Sequence, residues 1–478
     1  MTAPERTRWV CRVLAVLLPL AFLLPQAGGA QAATPSSSSV SVLMQSYDPA
    51  TGRIGSDWWT SAVSLSTVMT YRQATGDTQY DYAVTGAFAK NGDFTDDYID
   101  DTGWWALVWL QAYDITRNPQ YLDMARKTTD YMHGYWDGQC GGGVYWSTAK
   151  QYKAAIANEL FLAATAGLHN RIPGDSTYLG WADAEWNWFR NSGLISGGLV
   201  RDGLDVPACT FHDATYTYNQ GVILQGLVEQ SRAHGDTSLL DTAKSIATAA
   251  TAHFQRGGVL YEGCEPDCAG DGQAFKGIFA RSLRTLAAAA GTGQYDGFLS
   301  ATANSILAND TDGGGRQGDS FVGPFALWSP TTQASAAAAL TAALTTSTPN
   351  PTGVLRGKES GRCVDVPGLS QADSTQVALW DCNGGPNQSW TSTAGQLTVY
   401  DGAKCLDVRS SGTADGTPVQ IYDCNRTAAQ QWTVTSGGAV VNPQSGKCLD
   451  ATGHGAANGV PLQIWTCTGG ANQVWARA

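Results

Sequence analysis

The sequence predicts two folds in one chain: an all-α region of repeated helical hairpins, then an all-β region with threefold repetition. Three observations predict this. Composition changes near residue 345, from a stretch rich in Ala and Leu to one rich in Gly, Val, Thr and Cys. Helix-turn-helix patterns recur before that point. Cys, Asp and Trp recur in register, three times, after it.

The helical pattern is explicit in TYRQATGDTQYDYA (70–83), AYDITRNPQYLDMA (112–125), EQSRAHGDTSLLDTA (229–243) and AAAAGTGQYDGFLSATA (287–303). In each, one helix ends at a turn containing Gly, Asn or Asp, and a second begins with Tyr or Leu beside Ala. Gly and Asn tolerate the left-handed backbone that ends a helix, and Asp caps the free N–H groups of the next. Apolar residues then return at helical spacing, as in YLDMARKTTDYM (121–132). About a dozen such helices fit between Ser39 and Leu344. Pairs of this kind stack into an open solenoid or close into a ring. Polar and aromatic residues gather where the first helix of a hairpin starts: DWW (57–59), DDTGWW (100–105), KAAIANEL (153–160), TYNQG (217–221) and QAFKGIFAR (273–281). A closed ring brings these starts to one mouth, whereas an open solenoid spreads them along a groove.

The ends and the charge bound the environment. Arg6, Arg8 and Arg12 precede an apolar run from Val13 to Leu24, and Ala30-Gln31-Ala32 follows as a small-residue cleavage site. That run is too short for a spanning helix and reads as an export signal over residues 1–33. The mature chain is therefore expected to be extracellular, off the membrane, and a monomer. A formal charge of −12 disfavours nucleic acid and anionic surfaces as partners and suits a neutral polysaccharide. Cys11 lies in the signal, leaving an even set of ten cysteines, as an oxidising compartment favours. Cys363/Cys382, Cys405/Cys424 and Cys448/Cys467 share a spacing of 19 positions. Cys264 and Cys268 read as a small disulfide loop with Cys140–Cys209 as a companion, the other pairings of these four staying open. TTSTPNPTG (345–353) is short, polar and Pro-containing. The expected domains are a helical domain at 34–345, a linker at 346–353 and a β domain at 354–478.

Asp100 and Asp101, in YIDDTGWWAL, are the candidate catalytic pair. Glycosidic hydrolysis commonly uses two carboxyl groups, about 5–5.5 Å apart for retention and about 6.5–9.5 Å for inversion. Neighbouring α-carbons lie about 3.8 Å apart, so side chains on a loop reach the short gap more readily. A helix starting just after them would keep one carboxylate ionised, while Trp104 and Trp105 would desolvate the other. Asp before a helix is also a common cap, and Asp96-Asp97 nearby shows that the dipeptide alone proves little. Trp58, Trp59, Trp104 and Trp105 are candidates for stacking on sugar rings, although Trp at helical spacing also builds cores. Asn158, Asn219, Gln220 and Tyr218 suit sugar hydroxyls. Asp202, in LVRDGL, binds substrate or holds a turn, and Lys276 pairs with a carboxylate or faces water. His133, His169 and His212 lack a nucleophile signature nearby, and no phosphate loop or metal cluster is present in the sequence. No cofactor and no metal are expected.

On these residues the first region resembles glycoside hydrolase family 76, the endo-α-1,6-mannanases. The resemblance rests on DDTGWWALVWLQAYDIT (100–116), CGGGVYW (140–146), ANELFL (157–162), SGLISGGLVRDGL (192–204), TYNQGVILQGL (217–227) and FKGIFAR (275–281). It implies an (α/α)6 barrel and a retaining mechanism, with Asp100 as nucleophile and Asp101 as general acid/base. Ala154-Ala155 departs from the Lys-Asn expected there.

The second region resembles the ricin-type β-trefoil lectins, carbohydrate-binding module family 13. Its units run RCVDVPG…VALWDCNGGPNQSW, KCLDVRS…VQIYDCNRTAAQQW and KCLDATG…LQIWTCTGGANQVW. The resemblance implies sugar sites at Asp365, Trp380, Asn383 and Asn387; at Asp407, Tyr422 and Asn425; and at Asp450, Trp465 and Asn472. Ala429 stands where the second site needs Asn, and Ala378 where the other repeats carry Gln420 and Gln463. The Gln-x-Trp tryptophans, Trp390, Trp432 and Trp475, are expected in the core. The combined expectation is a secreted α-1,6-mannan hydrolase tethered to glycan. The alternatives are a transglycosylase on the same linkage and a non-catalytic glycan binder.

Overall fold

The helices of residues 35–342 alternate between two concentric layers. The computed structural model describes residues 34–344 and 353–477, except 394, 401, 426, 436 and 437. The export signal, Cys11 and all of the linker but residue 353 lie outside these. Twelve α-helices are described: α1 (Pro35–Met44), α2 (Trp58–Thr75), α3 (Tyr82–Lys90), α4 (Ile99–Thr116), α5 (Pro119–His133), α6 (Ala155–Arg171), α7 (Thr177–Asn191), α8 (Thr217–His234), α9 (Ser238–His253), α10 (Gly272–Ala289), α11 (Asp296–Asn309) and α12 (Pro330–Ala342). Each even-numbered helix packs on the next, and α12 returns to α2, so the ring is closed. This (α/α)6 barrel removes the open-solenoid alternative.

Composition decides which helix goes where. Every residue of α6 from Ala155 to Leu168 is buried, as an inner helix with neighbours on all sides requires. In α5 only Tyr121, Ala125, Thr128, Thr129 and Met132 are buried, a single stripe facing inward. Two glycines set the inner spacing. A Cβ on Gly277 would lie 2.4 Å from the Ser335 Cα, and one on Gly221 would lie 2.9 Å from the Phe279 Cα. Larger residues at either point would force α10 away from α12 or α8.

Side-chain amides tie the mouth loops to the inner helices. Asn158 accepts from the Val144 N–H at 2.6 Å and donates to the Val144 carbonyl at 2.9 Å. Gln220 does the same to Val200, at 2.8 and 2.9 Å. Gln333 accepts from the Gln317 N–H at 2.9 Å. These loops would otherwise bury unpaired backbone, at roughly 1–3 kcal/mol per group. Disulfide Cys140–Cys209 cross-links the first two of these loops, and Cys264–Cys268 closes a small turn in the loop before α10.

The β region repeats one unit three times. Strands Cys363–Asp365, Lys404–Val408 and Lys447–Ala451 carry equivalent Cys-x-Asp elements. Their cysteines form the disulfides Cys363–Cys382, Cys405–Cys424 and Cys448–Cys467. Each bridge runs from the core to the surface. Cys363, Cys405 and Cys448 are buried, whereas Cys382, Cys424 and Cys467 are exposed. The Nε1–H groups of Trp390, Trp432 and Trp475 donate to the carbonyls of Val364, Leu406 and Leu449, and all three rings are buried. Clasps join successive repeats. Asp373 takes Lys404, Asp415 takes Lys447, and Asn458 meets both Arg362 and Asp381. The curled, threefold sheet is that of a β-trefoil.

Candidate active site

Asp100 and Asp101 lie inside α4, not on a loop before it. Tyr98 is the extended N-cap residue, so the pair occupies the second and third helical positions. The helix starts early because the Ile99 N–H donates to the Trp146 carbonyl at 2.7 Å, pinning the chain at that turn. Successive helical residues point about 100° apart. The two carboxyls therefore diverge from α-carbons about 3.8 Å apart.

Their environments differ in the direction that separates acid from nucleophile. Burial raises both carboxyls above the ordinary carboxylate range. Asp100 is pulled partly back: Trp146 Nε1–H donates to its Oδ2 at 3.0 Å, and the N–H groups of the helix start assist. After burial, Asp101 feels chiefly other carboxylates, namely Asp100, Asp96, Asp57 and Asp271, which push it up further. Asp101 therefore keeps its proton while Asp100 ionises first.

Other mouth residues surround this pair. Tyr152 donates its hydroxyl proton to Asp202 Oδ2 at 2.6 Å. Tyr218 stacks on Phe275 with ring centroids 3.9 Å apart, and it feels the charges of both Asp202 and Asp100. Trp59 stacks on Trp104 and donates its Nε1–H to Asp271 at 3.0 Å. Tyr98 and Trp146, both exposed, pack 4.9 Å apart at the rim. Deeper in, Glu159 and Asn219 are fully buried, and neither polar atom of either side chain has a hydrogen-bond partner of good geometry.

Several expected contacts are corrected. Asn158 and Gln220 spend their amides on Val144 and Val200, as described above. Lys276 takes the carboxylate alternative: it is fully buried, pairs with Glu265 at 2.6 Å and donates to the Asp319 carbonyl, so it is not open to substrate. Trp105 is fully buried and Trp58 packs on it at 4.9 Å, within a core that includes Phe94 and Trp109. Trp104 is buried beneath Trp59 and lines a cavity deeper in the lumen, so it offers no open face at the mouth. Asp202, Tyr218, Trp59 and the aspartate pair remain at the mouth. Trp146, Tyr152, Glu159 and Asp271 belong with them and were not predicted as contacts. Trp146 lies in CGGGVYW and Glu159 in ANELFL, so the signal was within segments already singled out.

On the trefoil, Trp380, Tyr422 and Trp465 are exposed, each about two-fifths accessible. Cys382, Cys424 and Cys467 follow these aromatics by two residues and are exposed as well. Their sulfurs are consumed by the bridges to Cys363, Cys405 and Cys448, so they brace the aromatic strands and are not themselves sugar contacts. Beside the aromatics Asp365 accepts from Asn387 and Gln388, and Asp450 accepts from Asn472, Gln473 and Gln463. Asp407 accepts from Gln420 and Gln430, and the buried Ala429 contributes no amide. Asn383 and Asn425 are exposed. Their side-chain oxygens accept from the Gly385 and Thr427 N–H groups, closing local turns.

A closed ring of helix pairs with two protonatable carboxyls in its mouth defines a glycosidase of the α/α-barrel class. The chain belongs to glycosyl hydrolase family 76, whose model matches residues 35–353. Residues 351–475 match the ricin-type beta-trefoil lectin domain. Two curated relatives from Saccharomyces cerevisiae are similar. Mannan endo-1,6-alpha-mannosidase DCW1 is 26% identical over 48% of this chain and 58% of its own length. Mannan endo-1,6-alpha-mannosidase DFG5 is 29% identical over 43% and 48%. The chain thus spans about half the length of the curated relatives it matches. An inactive variant of the GH76A alpha-1,6-mannanase of Salegentibacter sp. HEL1_6, solved with alpha-1,6-mannotriose, superposes with a TM-score of 0.59. It is 23% identical and covers 65% of this chain and 98% of its own, a likeness that concerns the fold.

Proposed function

We propose that the chain is a secreted endo-glycosidase that cleaves α-1,6-mannosidic linkages in mannan with retention of configuration, and that the trefoil holds it on glycan. The observation that carries the reading is the pair of carboxyls in one helical turn with unequal hold on a proton. In the first step Asp100 attacks the anomeric carbon. Asp101 gives its proton to the departing glycosidic oxygen, so one C–O bond breaks as another forms. In the second step Asp101, now ionised, takes a proton from water. The resulting oxygen displaces Asp100 at the same carbon. Trp146 keeps Asp100 ionised and aimed. Tyr152 and Asp202 form a hydroxyl-binding wall beside it.

The substrate class follows the named activity of the relatives and the acidic charge, which suits a neutral glycan. Export is supported by the Arg-headed apolar segment and by five disulfides among the described residues. No helix among the described residues is long and apolar enough to cross a membrane. On the trefoil, the third repeat keeps the fullest set, Asp450, Gln463, Trp465 and Asn472, and is the strongest proposed sugar site. The linker raises the local concentration of substrate around the barrel.

The test is incubation of the purified chain with linear α-1,6-mannan and with α-1,2- and α-1,3-linked mannans. Oligosaccharides released from the α-1,6 polymer alone support the proposal. Release from another linkage, or from none, overturns it.

A further inference from the structure

The barrel lumen holds a polar cavity whose rim lies at the end away from the carboxyl pair. It has a volume of about 220 Å³ and lies among α2, α4, α6, α8 and α10. The catalytic pair sits at the N-terminal start of α4. The rim of this cavity is built from residues near the C-terminal ends of the inner helices: Asp114, Arg171, Glu229 and Arg232. Its inner end reaches Ala62 and Trp104, in the first third of α2 and α4, and Arg281 lines it at mid-helix depth. Trp104 and Asp114 lie ten residues apart on α4, so the cavity runs about 15 Å along the lumen at 1.5 Å per residue.

The rim neutralises itself. Arg171 donates to Asp114 at 2.5 Å and to Glu229 at 3.2 Å, and Arg232 meets Glu229 at 2.9 Å. Two guanidinium groups thus balance two carboxylates, and Glu229 is held down to about 2 by Arg171 and Arg232 against its burial. Arg281 stands outside this balance. It is buried, its Nε and Nη1 have no hydrogen-bond partner, and no carboxylate pairs with it among the described residues. Burial lowers it only to about 10, so it stays charged at neutral pH. A buried charge without a counter-charge is strongly destabilising. The cavity therefore carries one surplus positive charge, fixed within it at mid-helix depth.

We propose that this cavity is an anion site, in which Arg281 holds a single monovalent inorganic anion of the chloride class. One surplus charge matches a monovalent ion. Asp114 and Glu229 at the rim disfavour a divalent oxyanion. Gln225 lines the same space, and its amide keeps a second N–H after donating to Ser282, whereas the hydroxyl protons of Ser66 and Thr285 go to Gln111 and to the Arg281 carbonyl.

Two experiments on the full chain test this. Crystals soaked in bromide should give an anomalous peak within about 4 Å of the Arg281 guanidinium, at charge-assisted contact distance for a large ion. Thermal melts in sodium chloride against sodium gluconate at fixed ionic strength should show the Tm rising by about 3 °C per tenfold chloride once the site begins to fill. Arg281→Met should abolish that slope and Arg281→Lys should keep part of it. A wild-type crystal without the bromide peak overturns the proposal even if Arg281→Met does not fold. An unchanged chloride slope in a folded Arg281→Met variant does so too.

Discussion

The barrel mouth and the aromatic edges of the trefoil both face carbohydrate in the proposed reading, yet they treat their carboxylates in opposite ways. Asp365, Asp407 and Asp450 are each held by at least two side-chain amides. Their geometry is set before any sugar arrives. In the mouth, Asp100 Oδ1 and both oxygens of Glu159 are buried without partners, and Asp101 is pressed by other carboxylates. A binding site needs only preorganised hydrogen-bonding groups. A catalytic site needs groups held away from their resting protonation state, at a cost in stability.

The sharpest break of this comparison is Asp100→Asn. Loss of a covalent nucleophile should lower kcat on α-1,6-mannan by about 10⁴-fold or more. Binding of the variant to immobilised glycan should not change, because the trefoil aspartates are untouched. Next comes Asp101→Asn, with an expected loss of about 10²–10⁴-fold. That loss should shrink on aryl mannosides whose leaving group needs no proton, and the alkaline limb of the pH–rate profile should disappear.

Trp146→Phe keeps the ring and deletes the donor to Asp100. One hydrogen bond to a charged group is worth about 1.5–3 kcal/mol, so kcat should fall roughly 10- to 100-fold. The acid limb of the profile should move to higher pH, since the lost donor was holding the Asp100 carboxyl down. On the trefoil, Trp465→Ala should weaken glycan retention only about 2- to 10-fold, the scale of one stacking contact, and leave kcat on soluble oligosaccharide unchanged.

The smallest effect concerns stability. Because the folded Asp101 carboxyl is raised, the folded state holds a proton that the unfolded chain releases. Stability is full below the unfolded carboxylate pKa and falls as pH rises through the folded one. Asp101→Asn should therefore raise the Tm by about 2–4 °C at pH 8 and by little at pH 4. Equal shifts at both pH values would show that the carboxyl carries no such burden.

The hairpin ring was legible because turn residues and apolar spacing act locally, and helices need only that. Ring closure followed from the family resemblance and not from the hairpins themselves, since it depends on Gly221 and Gly277 letting α10 approach α8 and α12. The three trefoil bridges were legible from their shared spacing, but not that each joins a buried cysteine to an exposed one. The mouth was legible as a place, because the inner helices start there. Which side chains face into it was not. Asn158, Gln220 and Lys276 sit at the right starts, but their rotation sends them to loop backbone and buried carboxylates. Trp146 and Asp271 reach the site from loop and cap positions, where periodicity carries no signal.

The central claim is that two carboxyls one residue apart act as nucleophile and acid. Proton NMR of the first-formed product from α-1,6-mannan tests it most directly. The α-anomer should accumulate first and then mutarotate. A β-anomer appearing first would contradict the claim, because water would then have attacked the anomeric carbon without an Asp100 ester.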